Sequence, residues 1–352
     1  MQQLTYDDIK AATDRISGHV RPVAVAPVAP GTIRTAHGGS PEERAEEPCE
    51  VWFALEFMQH TGSFKARGAQ NFIQAHREAG TLPDAGVTIA SGGNAGLACA
   101  WAARQQGVRA TVFLPTVAPA VKVAKLREFG ADVRVVGTEY AEALEACEEF
   151  ALRSGALAAH AYDHPLIAAG AGTLLGEIHA RIPGLDTVVV SVGGGGLFAG
   201  VATAAQHHGI RTVAVEPEDC RALNAAIEAG RPVDVPVDSV AIDALGARRA
   251  TPLALHAARQ DDVRSVLVPD GEIVRARQEL WDHHRVAVEH AAATALAALT
   301  APDLPNGSPA PGHGYRPRSG ERIAVVLCGA NTDPSDLVHP QTGCPTGADL
   351  SG

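Results

Sequence analysis

The regular alternation of strand-like and helix-like segments constrains the fold more than any other feature of this sequence. From residue 87 onward, short runs rich in Val, Ile and Ala are each followed by a longer segment with helical periodicity. Chains that alternate in this way build parallel sheets covered by helices on both faces. The length of 352 residues is enough for two domains of roughly 100–200 residues, or for one large unit. The pattern therefore predicts an α/β fold.

Composition and charge exclude several classes of protein. The chain carries 29 Lys and Arg against 40 Asp and Glu, and the net charge of −11 disfavours nucleic acid as a partner. The longest apolar runs, residues 187–192 and 323–327, are too short to cross a membrane, so no membrane partner is expected. The six cysteines are scattered and the chain start does not resemble a signal peptide, which predicts a cytoplasmic protein with free thiols. The 15 histidines show no metal-binding spacing, so no metal site is expected.

The residues that follow each predicted strand are the first candidates for a site, because open α/β sheets bind ligands beyond the carboxyl ends of their strands. Four predicted strands end in informative segments: Ser-Gly-Gly-Asn at 91–94, four glycines at 193–196, Glu-Pro at 216–217 and Cys-Gly-Ala-Asn at 328–331. A fifth segment, Thr-Gly-Ser-Phe-Lys at 61–65, opens the helix after the strand predicted at 51–57.

The four glycines, Gly193, Gly194, Gly195 and Gly196, lie between a predicted buried strand and a helix. Bare backbone N–H groups at a helix N-terminus bind anions, since both the amides and the helix dipole favour negative charge. A phosphate group fits such a segment best. A glycine-rich turn without a ligand is the weaker alternative.

One rival interpretation assigns this phosphate to a dinucleotide. Gly194, Gly196 and Ala199 match the fingerprint G-x-G-x-x-G/A, and Glu216 lies 20 residues beyond Gly196, where a ribose-binding acid would sit. An NAD-binding oxidoreductase is therefore an alternative of a different class. Two observations disfavour it: the first strand–helix–strand unit would lie in the middle of the chain, and Lys65 and Asn94 would have no role.

Lys65 suggests a different cofactor. Its neighbours are small or apolar and it stands at the start of a predicted helix, so burial and the helix dipole should lower the pKa of its amine. A neutral amine is what a Schiff base with an aldehyde cofactor needs. A phosphate site together with such a lysine predicts pyridoxal 5′-phosphate.

Segments 61–69, 91–96, 193–196 and 328–331 together resemble the serine/threonine dehydratases, which are fold-type II (tryptophan-synthase-β-like) pyridoxal-phosphate enzymes. The resemblance extends over residues 4–332. It implies two open, twisted, mostly parallel sheets flanked by helices. A small substrate-side domain, residues 87–160, would be inserted into a large cofactor-binding domain, residues 1–86 plus 161–332.

Two stretches lie outside this regular pattern. Residues 301–322 are rich in Pro and Gly and are expected to form a flexible surface insertion. Residues 333–352 are turn-rich and are expected to form a poorly ordered tail.

The resemblance also implies a role for each matching residue. Lys65 would hold pyridoxal phosphate and then move the Cα proton of the substrate, while Phe64 would lie against the pyridine ring. Asn94 would bind the phenolic oxygen of the ring, and the amides of residues 193–196 would bind the phosphate. Cys328 would face the pyridine nitrogen, where a neutral thiol favours β-elimination over transamination.

The implied substrate is a small hydroxy-amino acid. Ser91, Gly92, Gly93 and Ala95 would surround its carboxylate, and Gly246 would line the pocket near its amine. The implied reaction is deamination of L-serine and/or L-threonine to a 2-oxo acid (pyruvate or 2-oxobutanoate) and ammonia by a homodimer. Another ammonia-lyase or a β-replacement enzyme of the same fold is the alternative within the family.

Two departures from relatives sharpen this expectation. Racemases of the family carry a second acid/base serine where this chain has Gly92, so racemisation should be weak. Relatives with a divalent cation use an acid at Glu216 and a second one six residues on, where this chain has Ala222. Glu216 is therefore expected to be structural.

Overall fold

The computed structural model describes residues 3–29, 33, 48–300 and 314–338. The described strands are β1 (Val25–Pro27), β2 (Glu50–Ala54), β3 (Val87–Ala90), β4 (Ala110–Leu114), β5 (Asp132–Val135), β6 (Leu157–Ala158), β7 (Thr187–Ser191), β8 (Arg211–Pro217), β9 (Val263–Val268) and β10 (Arg322–Val326). The helices up to the middle of the chain are α1 (Tyr6–Ile16), α2 (Lys65–Glu78), α3 (Asn94–Gln105), α4 (Ala120–Glu128), α5 (Tyr140–Ser154), α6 (Pro165–Arg181) and α7 (Gly196–His208). They are followed by α8 (Ala222–Ala229), α9 (Ile242–Leu245), α10 (Pro252–Ala258), α11 (Asp270–His284), α12 (His290–Thr300) and α13 (Ser335–Val338).

The strands form two sheets. A six-stranded sheet has the order β1-β2-β10-β7-β8-β9, in which only β1 runs antiparallel to its neighbour. A four-stranded sheet has the order β5-β4-β3-β6 and is parallel throughout. The central strands β7 and β3 are buried along their whole length, as expected for parallel strands covered on both faces. The predicted α/β fold with two mostly parallel sheets is confirmed.

A buried ion pair ties helix α2 to its surroundings. The guanidinium of Arg67 is fully buried and lies 2.6 Å from Glu56 and 2.6 Å from Glu177 on α6. A buried charge of this kind requires all its partners, because a lone guanidinium without water would be strongly destabilising. The pair fixes the first turn of α2, where Lys65 stands.

Helix α6 begins earlier than the sequence predicts. The helical periodicity of the sequence predicts a helix over residues 172–181, whereas α6 starts at Pro165. The His164 ring accepts a hydrogen bond from the backbone N–H of Leu166 at 3.1 Å and so caps this earlier start. Proline suits the first helical position because that position needs no N–H donor. The glycine-rich first half of α6 is a weak helix former on its own and is stabilised by burial against α2 and α7.

The two irregular stretches are described only in part. Residues 301–313 of the expected insertion and residues 339–352 of the expected tail lie outside the described residues. Within the described part, Ser335–Val338 forms the short helix α13, although the sequence predicts a poorly ordered tail for this segment. The nearly buried guanidinium of Arg277 lies 2.6 Å from Asp336 and holds this helix in place. None of the helices in the described part has the length and apolar character that a bilayer crossing requires.

Candidate active site

The residues to which the family resemblance gives a cofactor or substrate role all line one cavity. It has a volume of about 580 Å³ and lies where the carboxyl ends of β3, β7 and β10 meet. The residues from the candidate segments that line it are Phe64, Lys65, Ser91, Gly92, Gly93, Asn94, Ala95, Gly193, Gly194, Gly195, Gly196, Gly246 and Cys328. Residues far apart in the chain therefore share one site.

Lys65 is the first residue of α2 and projects into this cavity. Its Nζ donates a hydrogen bond to the Ala161 carbonyl at 2.7 Å and lies 4.9 Å from the centre of the Phe64 ring. Removal from solvent lowers the pKa of the amine from 10.5 to about 8, although Cys328 and Glu289 act in the opposite direction. Roughly a tenth of Lys65 is thus neutral and nucleophilic at pH 7, compared with less than about a thousandth for a lysine with the ordinary pKa.

The glycine segment at the start of α7 is shaped by close packing. Gly195 has φ +96°, a conformation that residues with a side chain rarely adopt, and a Cβ on Gly194 would lie 2.2 Å from the Tyr162 ring. Within the described residues, no group accepts a hydrogen bond from the N–H groups of residues 193–196. Four unpaired donors at a buried helix N-terminus fit the phosphate of pyridoxal phosphate.

A second helix N-terminus, that of α3, faces the same cavity. The Ser91 hydroxyl accepts a hydrogen bond from the backbone of Gly93 at 3.3 Å. The N–H groups of Asn94 and Ala95 have no acceptor among the described residues. This loop can therefore receive a second anion, such as a carboxylate.

Cys328 follows strand β10 and lies beside the end of β7. Its Sγ is 3.6 Å from the Ser191 hydroxyl, and burial raises the pKa of the thiol to about 12. The thiol is neutral at physiological pH, so it can face a pyridine nitrogen without forcing that nitrogen to carry a proton.

Two further residues, Glu289 and Asn331, contact Asn94, and neither had a role assigned from the sequence. Asn94 Nδ2 donates to both carboxylate oxygens of Glu289, at 2.9 and 3.0 Å, and Asn331 Nδ2 donates to Asn94 Oδ1 at 2.7 Å. Burial raises the pKa of Glu289, and the hydrogen bonds from Asn94 and Asn331 partly offset this. The only local signal for Glu289 is that it is the single acid in an otherwise mostly apolar stretch, residues 286–299.

Glu216, the residue on which the NAD alternative depends, does not line the cavity. It is fully buried, and its carboxylate accepts hydrogen bonds from the backbone of Leu223 at 2.7 Å and of Asn224 at 2.8 Å. Glu216 thus satisfies the N-terminus of α8 and has no free oxygen directed at a ribose. Among the described residues there is also no group of three His, Cys, Asp or Glu placed to hold a metal ion.

Comparison with known proteins agrees with this geometry. A family model described as "Pyridoxal-phosphate dependent enzyme" matches residues 32–329. The chain is 34% identical over 303 residues to a serine dehydratase-like protein of Mus musculus, with 84% of this chain and 90% of the relative covered. It is 34% identical over 299 residues to an L-threonine ammonia-lyase of Geobacter sulfurreducens, with 84% and 71% covered.

A solved structure supports the same assignment. The structure of maize serine racemase superposes with a TM-score of 0.81 at 27% identity, and the match covers 96% of this chain and 97% of that one. Sequence and fold thus give one result. The chain belongs to the fold-type II family of pyridoxal-phosphate-dependent enzymes, the family that contains the serine/threonine dehydratases, and its cofactor is pyridoxal 5′-phosphate.

Proposed function

We propose that this protein is a carbon–nitrogen lyase that converts L-serine and/or L-threonine to pyruvate or 2-oxobutanoate and ammonia. One observation carries the proposal: the amine of Lys65, with a pKa of about 8, shares a cavity with two helix N-termini whose first amides have no acceptor in the described part of the chain. One N-terminus suits the cofactor phosphate and the other suits an amino-acid carboxylate.

The residues of the larger sheet hold the cofactor in this proposal. The amides of residues 193–196 bind its phosphate, Phe64 lies against its ring, and Cys328 faces its ring nitrogen. When bound, pyridoxal phosphate supplies the electron sink that makes the Cα proton of an amino acid acidic. Lys65 holds the cofactor between turnovers and then takes that proton at Nζ.

The loop that follows β3 of the smaller sheet, together with Gly246 after α9, orients the substrate. The loop formed by Ser91, Gly92, Gly93 and Ala95 binds the carboxylate, and Gly246 leaves room near the amine. Gly92 has no hydroxyl, so the second acid/base group that racemases of the family use is missing at this position. Loss of the β-hydroxyl, and not inversion at Cα, is then the expected outcome.

The neutral state of Cys328 favours the same outcome. Its thiol keeps its proton because burial raises its pKa to about 12, so no negative charge stabilises a protonated ring nitrogen. A neutral thiol beside the ring nitrogen would make the bound cofactor a weaker electron sink, which would favour loss of the β-hydroxyl over transamination. We also propose that the enzyme acts as a homodimer in the cytoplasm, on the strength of the family resemblance.

The decisive assay measures 2-oxo acid release from L-serine and from L-threonine by the purified protein loaded with pyridoxal phosphate. Activity on at least one substrate, absent in Lys65→Ala, is expected. A loaded protein that releases a 2-oxo acid from neither substrate would instead be another ammonia-lyase or a β-replacement enzyme of the same fold. Other β-substituted amino acids and added thiols would distinguish these two.

A further inference from the structure

Four side chains, Lys125, Asn331, Asn94 and Glu289, form a continuous row of hydrogen bonds, in which Asn94 and Glu289 line the cavity and Asn331 and Lys125 line the pocket next to it. Lys125 Nζ, on α4, donates to Asn331 Oδ1 at 2.8 Å. Asn331 Nδ2 donates to Asn94 Oδ1 at 2.7 Å, and Asn94 Nδ2 donates to the Glu289 carboxylate at 2.9 and 3.0 Å. This row of hydrogen-bonded side chains connects α4 with Glu289, the residue just before α12.

The ends of this row determine the orientation of both amides between them. An ammonium group can only donate hydrogen bonds, so the carbonyl of Asn331 must face Lys125. The NH2 group of Asn331 then faces Asn94, which must present its carbonyl. A carboxylate can only accept, so the NH2 group of Asn94 must face Glu289.

Two contacts with backbone groups fix Asn331 and Glu289. Asn331 Nδ2 also donates to the Thr61 carbonyl at 2.7 Å, and the backbone N–H of Asn331 donates to Glu289 Oε1 at 2.8 Å. Glu289 therefore accepts hydrogen bonds from both Asn94 and Asn331. It is the side chain that holds the two asparagines together.

We propose that Glu289 is a positioning residue that fixes the Asn94 amide by accepting one hydrogen of its NH2 group, which leaves the other hydrogen, and not the carbonyl, for the phenolic oxygen of the cofactor. This inference rests on the proposed role of Asn94 as the ligand of that oxygen. An NH2 group donates to the oxygen and stabilises its deprotonated form, whereas a carbonyl would require it to keep its proton. Glu289 itself needs no contact with the substrate for this role.

The substitution Glu289→Gln tests the proposal because it preserves the size of the side chain but replaces one of the two hydrogen-bond acceptors with a donor. A glutamine that keeps the bond from the Asn331 backbone at its oxygen places its NH2 group where Oε2 of Glu289 accepts from Asn94 at 3.0 Å, so this second bond from Asn94 is replaced by a contact between two NH2 groups. If Asn94 rotates to relieve this conflict, its NH2 group meets that of Asn331 instead. Neither arrangement satisfies all three amides, so the orientation of Asn94 is lost.

The experiment is a double-mutant cycle of Glu289→Gln and Asn94→Ala, read by the visible spectrum of the bound cofactor, by its dissociation constant and by the thermal midpoint of the cofactor-free protein. We expect Glu289→Gln to move the visible band and to weaken cofactor binding about tenfold. Asn94→Ala should give a similar change, and the double variant should behave like Asn94→Ala alone. Lys125→Met should have a smaller effect, because Lys125 is exposed.

A matched control separates positioning from a purely structural effect. Glu216→Gln changes another buried carboxylate that accepts two backbone hydrogen bonds, and it should lower the thermal midpoint without moving the band. Additive effects of Glu289→Gln and Asn94→Ala, or an unchanged band in Glu289→Gln, would overturn the inference. An unchanged band in Asn94→Ala would instead reject the proposed role of Asn94.

A second variant, Glu289→Asp, serves if Glu289→Gln does not fold. Because this variant keeps the carboxylate, its visible band should stay close to the wild-type position. A band shifted as far as in Asn94→Ala would contradict the proposal.

Discussion

The two helix N-termini that face the cavity offer the same chemistry in different settings. Residues 191–200, at the start of α7, are buried without exception, whereas residues 91–95, at the start of α3, are all partly exposed. A Cβ added to Gly194 would overlap with the Tyr162 ring, whereas a Cβ added to Gly93 would have no other atom within 4 Å. Unpaired amides alone therefore do not distinguish a site for a resident group from one for a passing ligand; the packing around them does.

This difference matches the proposed occupants. A cofactor phosphate is bound once and should stay, so its amides can be enclosed by Tyr162 and by the buried start of α7. A substrate carboxylate must enter and leave at every turnover, so its loop has to keep access to solvent. The comparison yields predictions that differ in size at the two ends of the cavity.

The largest effect is expected for Gly194→Ala, at the enclosed end. The new methyl group must displace the Tyr162 ring, and overpacking of this kind costs about 1–3 kcal/mol, or about tenfold to a hundredfold in cofactor affinity. Titration of the cofactor-free protein with pyridoxal phosphate measures it. Gly176→Ala, at an exposed helical position with open space, is the control and should leave the affinity unchanged. Equal affinities in both variants would contradict the enclosed phosphate site.

The next effect concerns Lys65, which lines the same cavity as the two helix N-termini, and the pH dependence of its reaction with the cofactor. Only the neutral amine attacks the aldehyde, and burial lowers its pKa from 10.5 to about 8. The capture rate should therefore rise about tenfold per pH unit below pH 8 and level off above it. Stopped-flow absorbance of cofactor-free protein mixed with pyridoxal phosphate gives this profile. A midpoint near the ordinary value of 10.5 would show that the site does not perturb the amine.

Gly92→Ser, at the open end, is expected to add a second acid/base group. Racemisation of L-serine should rise from a low level, while cofactor affinity should stay unchanged because the glycine segment of α7 is untouched. The new Cβ would lie 2.9 Å from a terminal methyl of Leu114, which can rotate away. Chiral analysis of serine after incubation detects the change. No gain of D-serine in a folded, cofactor-loaded variant would count against our account of this loop.

The smallest effect is expected for Gly93→Ala, in the same loop. Its Cβ points into open space, so the KM for the hydroxy-amino acid should change by less than about threefold and cofactor affinity should not change. Steady-state kinetics with the best substrate measure it. A loss of cofactor affinity as large as in Gly194→Ala would remove the distinction between the two ends.

The sequence predicted those parts of the molecule that depend on local pattern. Alternating periodicity was sufficient for an α/β fold with parallel strands, whereas the two separate sheets were implied by the family resemblance. The position of residues 193–196 after a strand was sufficient to place them at the cavity. The predicted start of α6 was wrong because the first half of this helix contains glycines and has a low helix propensity. Burial against α2 and α7 makes this half helical.

Glu289 could not be found in this way. It contacts Asn94, 195 residues away, and Asn331, 42 residues away, so no local pattern connects them. Tyr162 was missed for the same reason, since only the fold brings its ring against Gly194. Contacts across two sheets are set by packing, which periodicity does not report.

The most direct test of the central claim is the visible absorption spectrum of the protein with pyridoxal phosphate, before and after Lys65→Ala. Wild-type protein should show a visible band from the cofactor held by Lys65, and the variant should lack it at equal cofactor concentration. Absence of the band in the wild-type protein, or a band that survives in Lys65→Ala, would contradict the account.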